Sequence, residues 1–336
     1  MPYFNSVGVG FEEYEDSHEF LNLVRLTDKA NFSSLWIQEG SQRSSLSLAA
    51  LALNSTVRIK VGVGVTSPLR RHPQILAIEA ATLNEISGGR FILGLGVASS
   101  AITNYGLEIR PIPAMRDTFR IVRGLLSDEP SQFSYNGEAF SLKAPQKRLM
   151  MPRVPIYFGG IGPRMLDLAG KVADGLVLTR RGSFSVEYAK YAIERVVKSA
   201  KSHKRDPSKI DFLAFFETCI SENENSAIQF AKRILGTYTI PQTPSFVSSL
   251  AGIQDGEIMA VKERYLHGDF AGAIEAVTDE MVAKFAVAGT PSQCLEKLAK
   301  FTETGLKTPI LYIHGPDKKI AAKLATEQIV PKLIRQ

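Results

Sequence analysis

Short apolar, β-branched runs alternate along the chain with longer stretches in which apolar residues recur every three or four positions, the two periodicities of buried strand and amphipathic helix. Val7–Phe11 is predicted as the first strand and Ser17–Asn31 as the first helix, with Ser17 at the N-cap and Leu21, Val24 and Ala30 among its apolar positions. Ser34–Glu39, containing the single tryptophan Trp36, is predicted as the second strand and Arg43–Asn54 as its helix. The third strand, Ile59–Val65, precedes a helix over His72–Ser87, and Phe91–Gly96 is the fourth strand.

Between Gly106 and Pro155 the alternation loosens to a helix around Met115–Leu126 and a segment, Gln132–Leu142, with Tyr-Asn-Gly hairpin chemistry at its centre. Regularity returns with strands over Pro155–Gly159, Gly175–Thr179 and Ile210–Ile220, and with helices over Pro163–Val172 and Ser185–Ser202. Leu235–Phe270 carries Gly, Pro, Thr and Ser turns around short helical pieces, an excursion of the kind that covers active sites. Pro291–Thr304 is a marked helix and Thr308–Ile313 the eighth strand. Eight strand–helix alternations predict an α/β fold, a TIM (β/α)8 barrel in one domain over residues 1–336. An insertion follows strand 7 at about 235–270, and a small excursion lies between strands 4 and 5.

Composition narrows the function. At 336 residues and 44% hydrophobic the chain can bury a large core, and its formal charge of +6 is scattered, with no basic tract longer than Arg70-Arg71 or Lys204-Arg205, so nucleic acid is not an expected partner. Two cysteines, Cys219 and Cys294, make no disulfide framework, and His18, His203, His267 and His314 fall in no metal-ligand spacing. No window reaches the ~18 apolar residues of a membrane span and no signal-peptide pattern opens the chain, so a cytoplasmic protein with no membrane partner is expected.

In such a barrel the chemistry sits at the C-terminal ends of the strands. Those ends supply small residues rather than acids and bases: Gly64, Val65, Thr66 and Ser67; Gly96, Val97 and Ser99; Gly159, Gly160, Ile161 and Gly162; Thr179. This poverty of nucleophiles favours an enzyme whose cofactor brings its own reactive atom. Gly160-Ile161-Gly162-Pro163-Arg164 leads into a helix N-terminus, where unpaired N–H groups favour an anion, though the same glycines serve a tight strand-to-helix turn equally well. Glu39 is a candidate for proton transfer, or for accepting a hydrogen bond from a ring N–H, against the alternative of a solvated carboxylate. His72 is a candidate catalytic group, or else a hydrogen-bonding residue at a helix start.

The segment ending in Arg71-His72-Pro73, the run from Thr82 to Gly96, the block from Gly160 to Gly170 with Ala173-Asp174-Gly175, and Ala288-Gly-Thr-Pro291 together resemble the bacterial luciferase-like superfamily. Within it they are similar to the coenzyme F420-dependent branch that includes the 5,10-methylenetetrahydromethanopterin reductases. The resemblance implies a homodimeric oxidoreductase acting on a small-molecule substrate, with hydride transfer at C5 of the deazaflavin. Coenzyme F420 would be the cofactor and FMN, as in a luciferase-like monooxygenase, the alternative. A non-catalytic flavin- or deazaflavin-binding barrel is the reading of another class.

The resemblance also implies a non-prolyl cis peptide at Gly64-Val65, with Thr66, Ser67, Gly96, Val97 and Ser99 beside the ring. Gly160, Ile161, Gly162, Pro163, Arg164 and Thr179 would lie toward the phosphate-bearing tail. Two departures stand out: the reductases usually carry a glutamate where this chain has Gly10, and many relatives a histidine where it has Gly40. The first weakens a pterin substrate and the second argues against the sugar-phosphate and alcohol dehydrogenases.

Overall fold

Eight parallel strands close on themselves in the order β9–β11–β1–β2–β3–β4–β7–β8–β9. They are β1 (Gly8–Phe11), β2 (Ser34–Ile37), β3 (Lys60–Thr66), β4 (Phe91–Gly96), β7 (Ile156–Gly159), β8 (Gly175–Leu178), β9 (Asp211–Ile220) and β11 (Thr308–His314). A hairpin of β5 (Tyr135–Asn136) and β6 (Ser141–Leu142) lies outside the barrel, and β10 (Val287–Gly289) extends it. The computed structural model describes residues 4–11, 16–40, 42–97, 105–127, 133–143, 153–179 and 185–334. Each of the eight predicted strands is a barrel strand.

Period-two alternation divides every strand between two cores. Val9, Leu35, Val61, Leu93, Phe158, Leu176, Phe216 and Leu311 face outward onto the helices, while Trp36, Ile92, Tyr157, Val177, Leu213, Phe215, Ile310 and Tyr312 fill the interior. Rings this large fit an eight-stranded interior only opposite bare backbone. A Cβ on Gly10 would lie 2.2 Å from Tyr312, one on Gly62 2.5 Å from Trp36, and one on Gly64 2.4 Å from Phe215. The space below the mouth is therefore closed by aromatic side chains.

β9 is longer than its neighbours, and this matters for the site. Its first residues, Asp211–Ala214, pair with β8, whereas Thr218–Ile220 pair with the short β10 on the same edge, above the point where β8 ends. β10 is not predicted from sequence because three residues are too few for a periodicity to show.

Helix boundaries follow cap chemistry. Asp16, not Ser17, caps the first helix, Ser17–Lys29, its carboxylate accepting from the N–H groups of His18 (2.9 Å) and Glu19 (3.3 Å). Ser44 caps the second helix, which begins at Ser45 rather than Arg43. The helix expected at Met115 starts at Pro111, where a missing N–H costs nothing in the first turn.

Buried Asp117 on this helix accepts from Ala139 N–H (2.7 Å), Phe140 N–H (3.3 Å), Tyr135 Oη (2.9 Å) and Arg116 Nε (3.0 Å). Burial alone would push its carboxyl up, but these donors outweigh it and hold the group below the usual range. The clamp fixes the hairpin so that the Phe140 and His72 rings meet at right angles, with centroids 5.8 Å apart.

After β9 the chain runs through the helix Glu224–Ile234, a π-helical turn Leu235–Thr239, and helices Ser245–Leu250, Asp255–Leu266, Phe270–Glu275 and Asp279–Phe285. The excursion thus reaches Phe285 rather than Phe270. It builds its own apolar cluster from Leu235, Ile240, Ile258, Val261, Val277, Met281 and Phe285. No helix among the described residues is long and apolar enough to cross a membrane.

Candidate active site

The peptide between Gly64 and Val65 is cis, and the pairing of β3 with β4 slips by one residue between Val63 and Thr66. The isopropyl group of half-buried Val65 rests on the glycines of the next two strands. A Cβ on Gly96 would stand 2.4 Å from Val65 Cγ2, and one on Gly159 2.8 Å from Val65 Cγ1. Gly94 is bare for a further reason, since a Cβ there would press within 2.0 Å of the Val63 carbonyl oxygen. The strand-end glycines therefore form, first, a seat for one side chain of the protein, which is then presented at the mouth.

Beyond Val65 the chain is tied down. Ser67 Oγ donates to the Val97 carbonyl (2.6 Å) and accepts from Leu69 N–H (3.1 Å), locking the loop after β3 to the end of β4. Thr66 is fully buried, and its Oγ1 accepts from Arg71 Nη1 at 3.2 Å. Ser99 lies outside the described residues.

Arg71, which in sequence is half of a basic pair, is the hub of this side of the mouth. Its guanidinium pairs with Glu39 Oε1, donates to Ser44 Oγ (3.2 Å), and lies 3.8 Å from Glu79. Burial pushes the Glu79 carboxyl up, Arg71 opposing and Glu39 adding to the rise. The Glu39 side chain is only 5% exposed. Glu39 Oε2 is buried without a hydrogen-bond partner among the described residues. The solvated-carboxylate alternative for Glu39 is thus excluded.

His72 is exposed and caps the helix Pro73–Ile86, its Nδ1 accepting from Gln74 N–H at 3.2 Å. Its contacts are those of a helix start.

On the opposite side, Gly162 precedes the helix Pro163–Val172 without a side-chain cap. Tyr188 Oη donates to the Ile161 carbonyl (2.9 Å), fixing the turn, and a side chain on Gly162 would meet nothing within 4 Å. Pro163 and Arg164 are exposed beside this opening, and Gly160, Ile161 and Thr179 are half-buried. The turn is both tight and open, so the two sequence alternatives for these glycines are compatible.

Besides Arg71, four mouth residues are given no role by the sequence reading. Gln38, one step past β2, donates to Tyr238 Oη of the excursion (2.7 Å). On the inner face of β9, Glu217 is 3% exposed and bonds to Nε2 of His314, the last residue of β11, at 2.9 Å. The signal for Glu217 is a lone carboxylate inside the apolar run Phe212–Ile220. Among the described residues no group of three or more His, Cys, Asp or Glu side chains is placed to hold a metal ion.

Comparison with known proteins places this geometry. Residues 1–308 match the family model described as luciferase-like monooxygenase. The chain is 31% identical over 340 residues to 5,10-methylenetetrahydromethanopterin reductase of Archaeoglobus fulgidus, with 97% of this chain and 99% of that protein covered. It superposes with a TM-score of 0.87 at 26% identity on the coenzyme F420-dependent tetrahydromethanopterin reductase of Methanopyrus kandleri, covering 98% and 99% of the two chains. An F420-dependent secondary alcohol dehydrogenase, bound to an F420-acetone adduct, shares the fold with a TM-score of 0.78 at 20% identity, covering 98% and 100%.

Proposed function

The chain belongs to the luciferase-like monooxygenase family, and from that premise we propose that it is an oxidoreductase that binds coenzyme F420 across the barrel mouth and exchanges hydride with a small organic substrate. The observation that carries this reading is the mouth itself: a half-exposed aliphatic residue, Val65, raised on glycines, and at the end of the neighbouring strand a buried carboxylate oxygen that lacks a donor among the described residues. A planar heterocycle with ring N–H groups suits both features. Val65 offers an apolar contact to its face, and Glu39 Oε2 offers the acceptor an N–H needs once it is withdrawn from water. The open helix start at Gly162, with Arg164 next to it, suits an anionic tail.

When bound, the deazaflavin supplies the hydride chemistry. The residues around it have a positioning role: Arg71 holds Glu39 and Thr66, Ser67 holds the end of β4, and Tyr188 holds Ile161. Proton transfer by Glu39 fits this arrangement less well than accepting a ring N–H, because Arg71 already engages its other oxygen. The near-full-length similarity to methylenetetrahydromethanopterin reductases makes a reduced one-carbon pterin the first substrate to try, although Tyr312 fills the space beside Gly10 where those enzymes usually carry a glutamate.

Fluorescence titration tests the cofactor. Coenzyme F420 should bind the purified protein, and Glu39→Gln should weaken binding about tenfold, about 1.4 kcal/mol. Tight FMN binding without F420 binding would transfer the protein to the monooxygenase reading, and F420 binding without turnover of any acceptor would leave a non-catalytic barrel.

Pairing of two copies belongs to the same proposal. Leu51 on the helix Ser45–Asn54, and Ile75, Ile78 and Ile86 on the helix Pro73–Ile86, stand 40–54% exposed on adjacent helices, an apolar surface suited to a second copy. Sedimentation should show a dimer that Ile78→Glu dissociates; a wild-type monomer at micromolar concentration overturns it.

A further inference from the structure

Hydride transfer to a carbonyl carbon, or to the carbon of a methylene-bridged diamine as one C–N bond opens, leaves a heteroatom that needs a proton, and the buried Glu39–Arg71 pair is a poor source. The mouth contains a second ionisable pair. Phe215 and Tyr312 point into the barrel, and period-two alternation puts Glu217 and His314 on the same inner face, one layer nearer the C-terminal ends. Phe215, in the layer below, lies against Gly64, the residue before Val65.

The pair is built rather than incidental. The Glu217 side chain is 2% exposed and that of His314 19%, so the carboxylate lies underneath and the imidazole toward solvent. Glu217 Oε2 binds His314 Nε2 at 2.9 Å, which fixes the ring orientation and leaves Nδ1 as the nitrogen not engaged by the carboxylate. Phe230, from the excursion helix Glu224–Ile234, lies over the ring with centroids 6.4 Å apart and planes 25° from parallel. A buried carboxylate that orients an imidazole is the arrangement used to make histidine a directed acid and base.

We propose that His314 is the proton donor to the substrate heteroatom and that Glu217 is its positioning residue, an assignment that rests on the deazaflavin-reductase reading. In the reducing direction the acceptor carbon receives a hydride, with its electron pair, from the reduced deazaflavin. The π pair of a C=O bond, or the σ pair of the C–N bond that opens in a methylene-bridged diamine, moves to the heteroatom, which bonds to the proton released from Nδ1 of the doubly protonated His314 ring. The acceptor is reduced by two electrons and the deazaflavin oxidised by two. The neutral imidazole regains a proton from solvent, and Glu217 compensates the ring's positive charge whenever both nitrogens are protonated.

Two measurements decide the assignment. In the cofactor-free protein, 15N NMR of labelled histidines should show the neutral His314 ring as the Nε2–H tautomer, and Glu217→Ala should convert it to a mixture. An unchanged tautomer overturns the role of Glu217. In steady-state assays with reduced F420 and either methylenetetrahydromethanopterin or acetone as acceptor, His314→Gln should lower kcat at least 100-fold and Glu217→Gln about 10-fold, with F420 affinity within threefold of wild type. Circular dichroism melts identify any variant that fails to fold, and His314→Asn then replaces His314→Gln. A His314→Gln enzyme with kcat within threefold of wild type overturns this assignment alone. A wild-type protein that turns over neither acceptor removes the reductase reading, and the proton-donor role falls with it.

Discussion

Arg71→Ala should lower the unfolding free energy by about 3–5 kcal/mol, because it strands a carboxylate in a site that water reaches poorly. The Glu39 side chain is 5% exposed and the Arg71 side chain 19%, so the pair is screened little by solvent. The loss should exceed that of the hydrogen bonds to Thr66 and Ser44, at about 1 kcal/mol each. Removing both charges separates the terms. The double variant Glu39→Gln/Arg71→Met should recover most of the stability, since a buried ion pair gains little over a neutral pair of similar shape. Denaturant melts of the four proteins supply the cycle, and a loss under about 1 kcal/mol for Arg71→Ala would class the bridge with ordinary surface pairs. In the recovered double variant F420 affinity should remain low, which distinguishes the fold's need for the pair from the ligand's.

The second large effect is expected at Gly96. A methyl group there would lie 2.4 Å from Val65 Cγ2 and 3.1 Å from the Gly159 carbonyl oxygen, so Gly96→Ala must displace the side chain that rests on it. Val65 is β-branched and has few rotamers to yield into, so overpacking should cost about 1–3 kcal/mol. F420 binding should weaken about tenfold or more, as the apolar contact moves out of line. Val65→Ala placed on the Gly96→Ala background should restore the melting temperature. Wild-type stability and affinity in Gly96→Ala alone would show that the seat is not under contact pressure.

The barrel was legible because its strands are apolar on both faces and separated by helices with strong periodicity, a pattern that survives in a single sequence. What escaped has physical reasons. Asp16 takes the cap because a carboxylate reaches two N–H groups where the hydroxyl of Ser17 would reach one. β10 is too short to carry a period. Gly64, Val65, Gly96 and Gly162 are legible at strand ends, where their geometry depends on local backbone. Glu217 is not, because β9 climbs past the mouth to meet β10, so the residue level with the opening lies three positions before the strand's end. Arg71 was opaque for another reason: nothing in a basic dipeptide tells that one member turns inward to a carboxylate 32 residues earlier.

Among the contacts that stitch the helical excursion after β9 to the barrel, two reach strand ends at the mouth, Tyr238 to Gln38 and Phe230 to His314. The excursion is therefore no interchangeable module. Grafting a relative's excursion to redirect specificity would silently remove the neighbours that Gln38 and His314 depend on, and any such chimera has to carry those two positions across, or redesign the barrel residues beneath them at the same time.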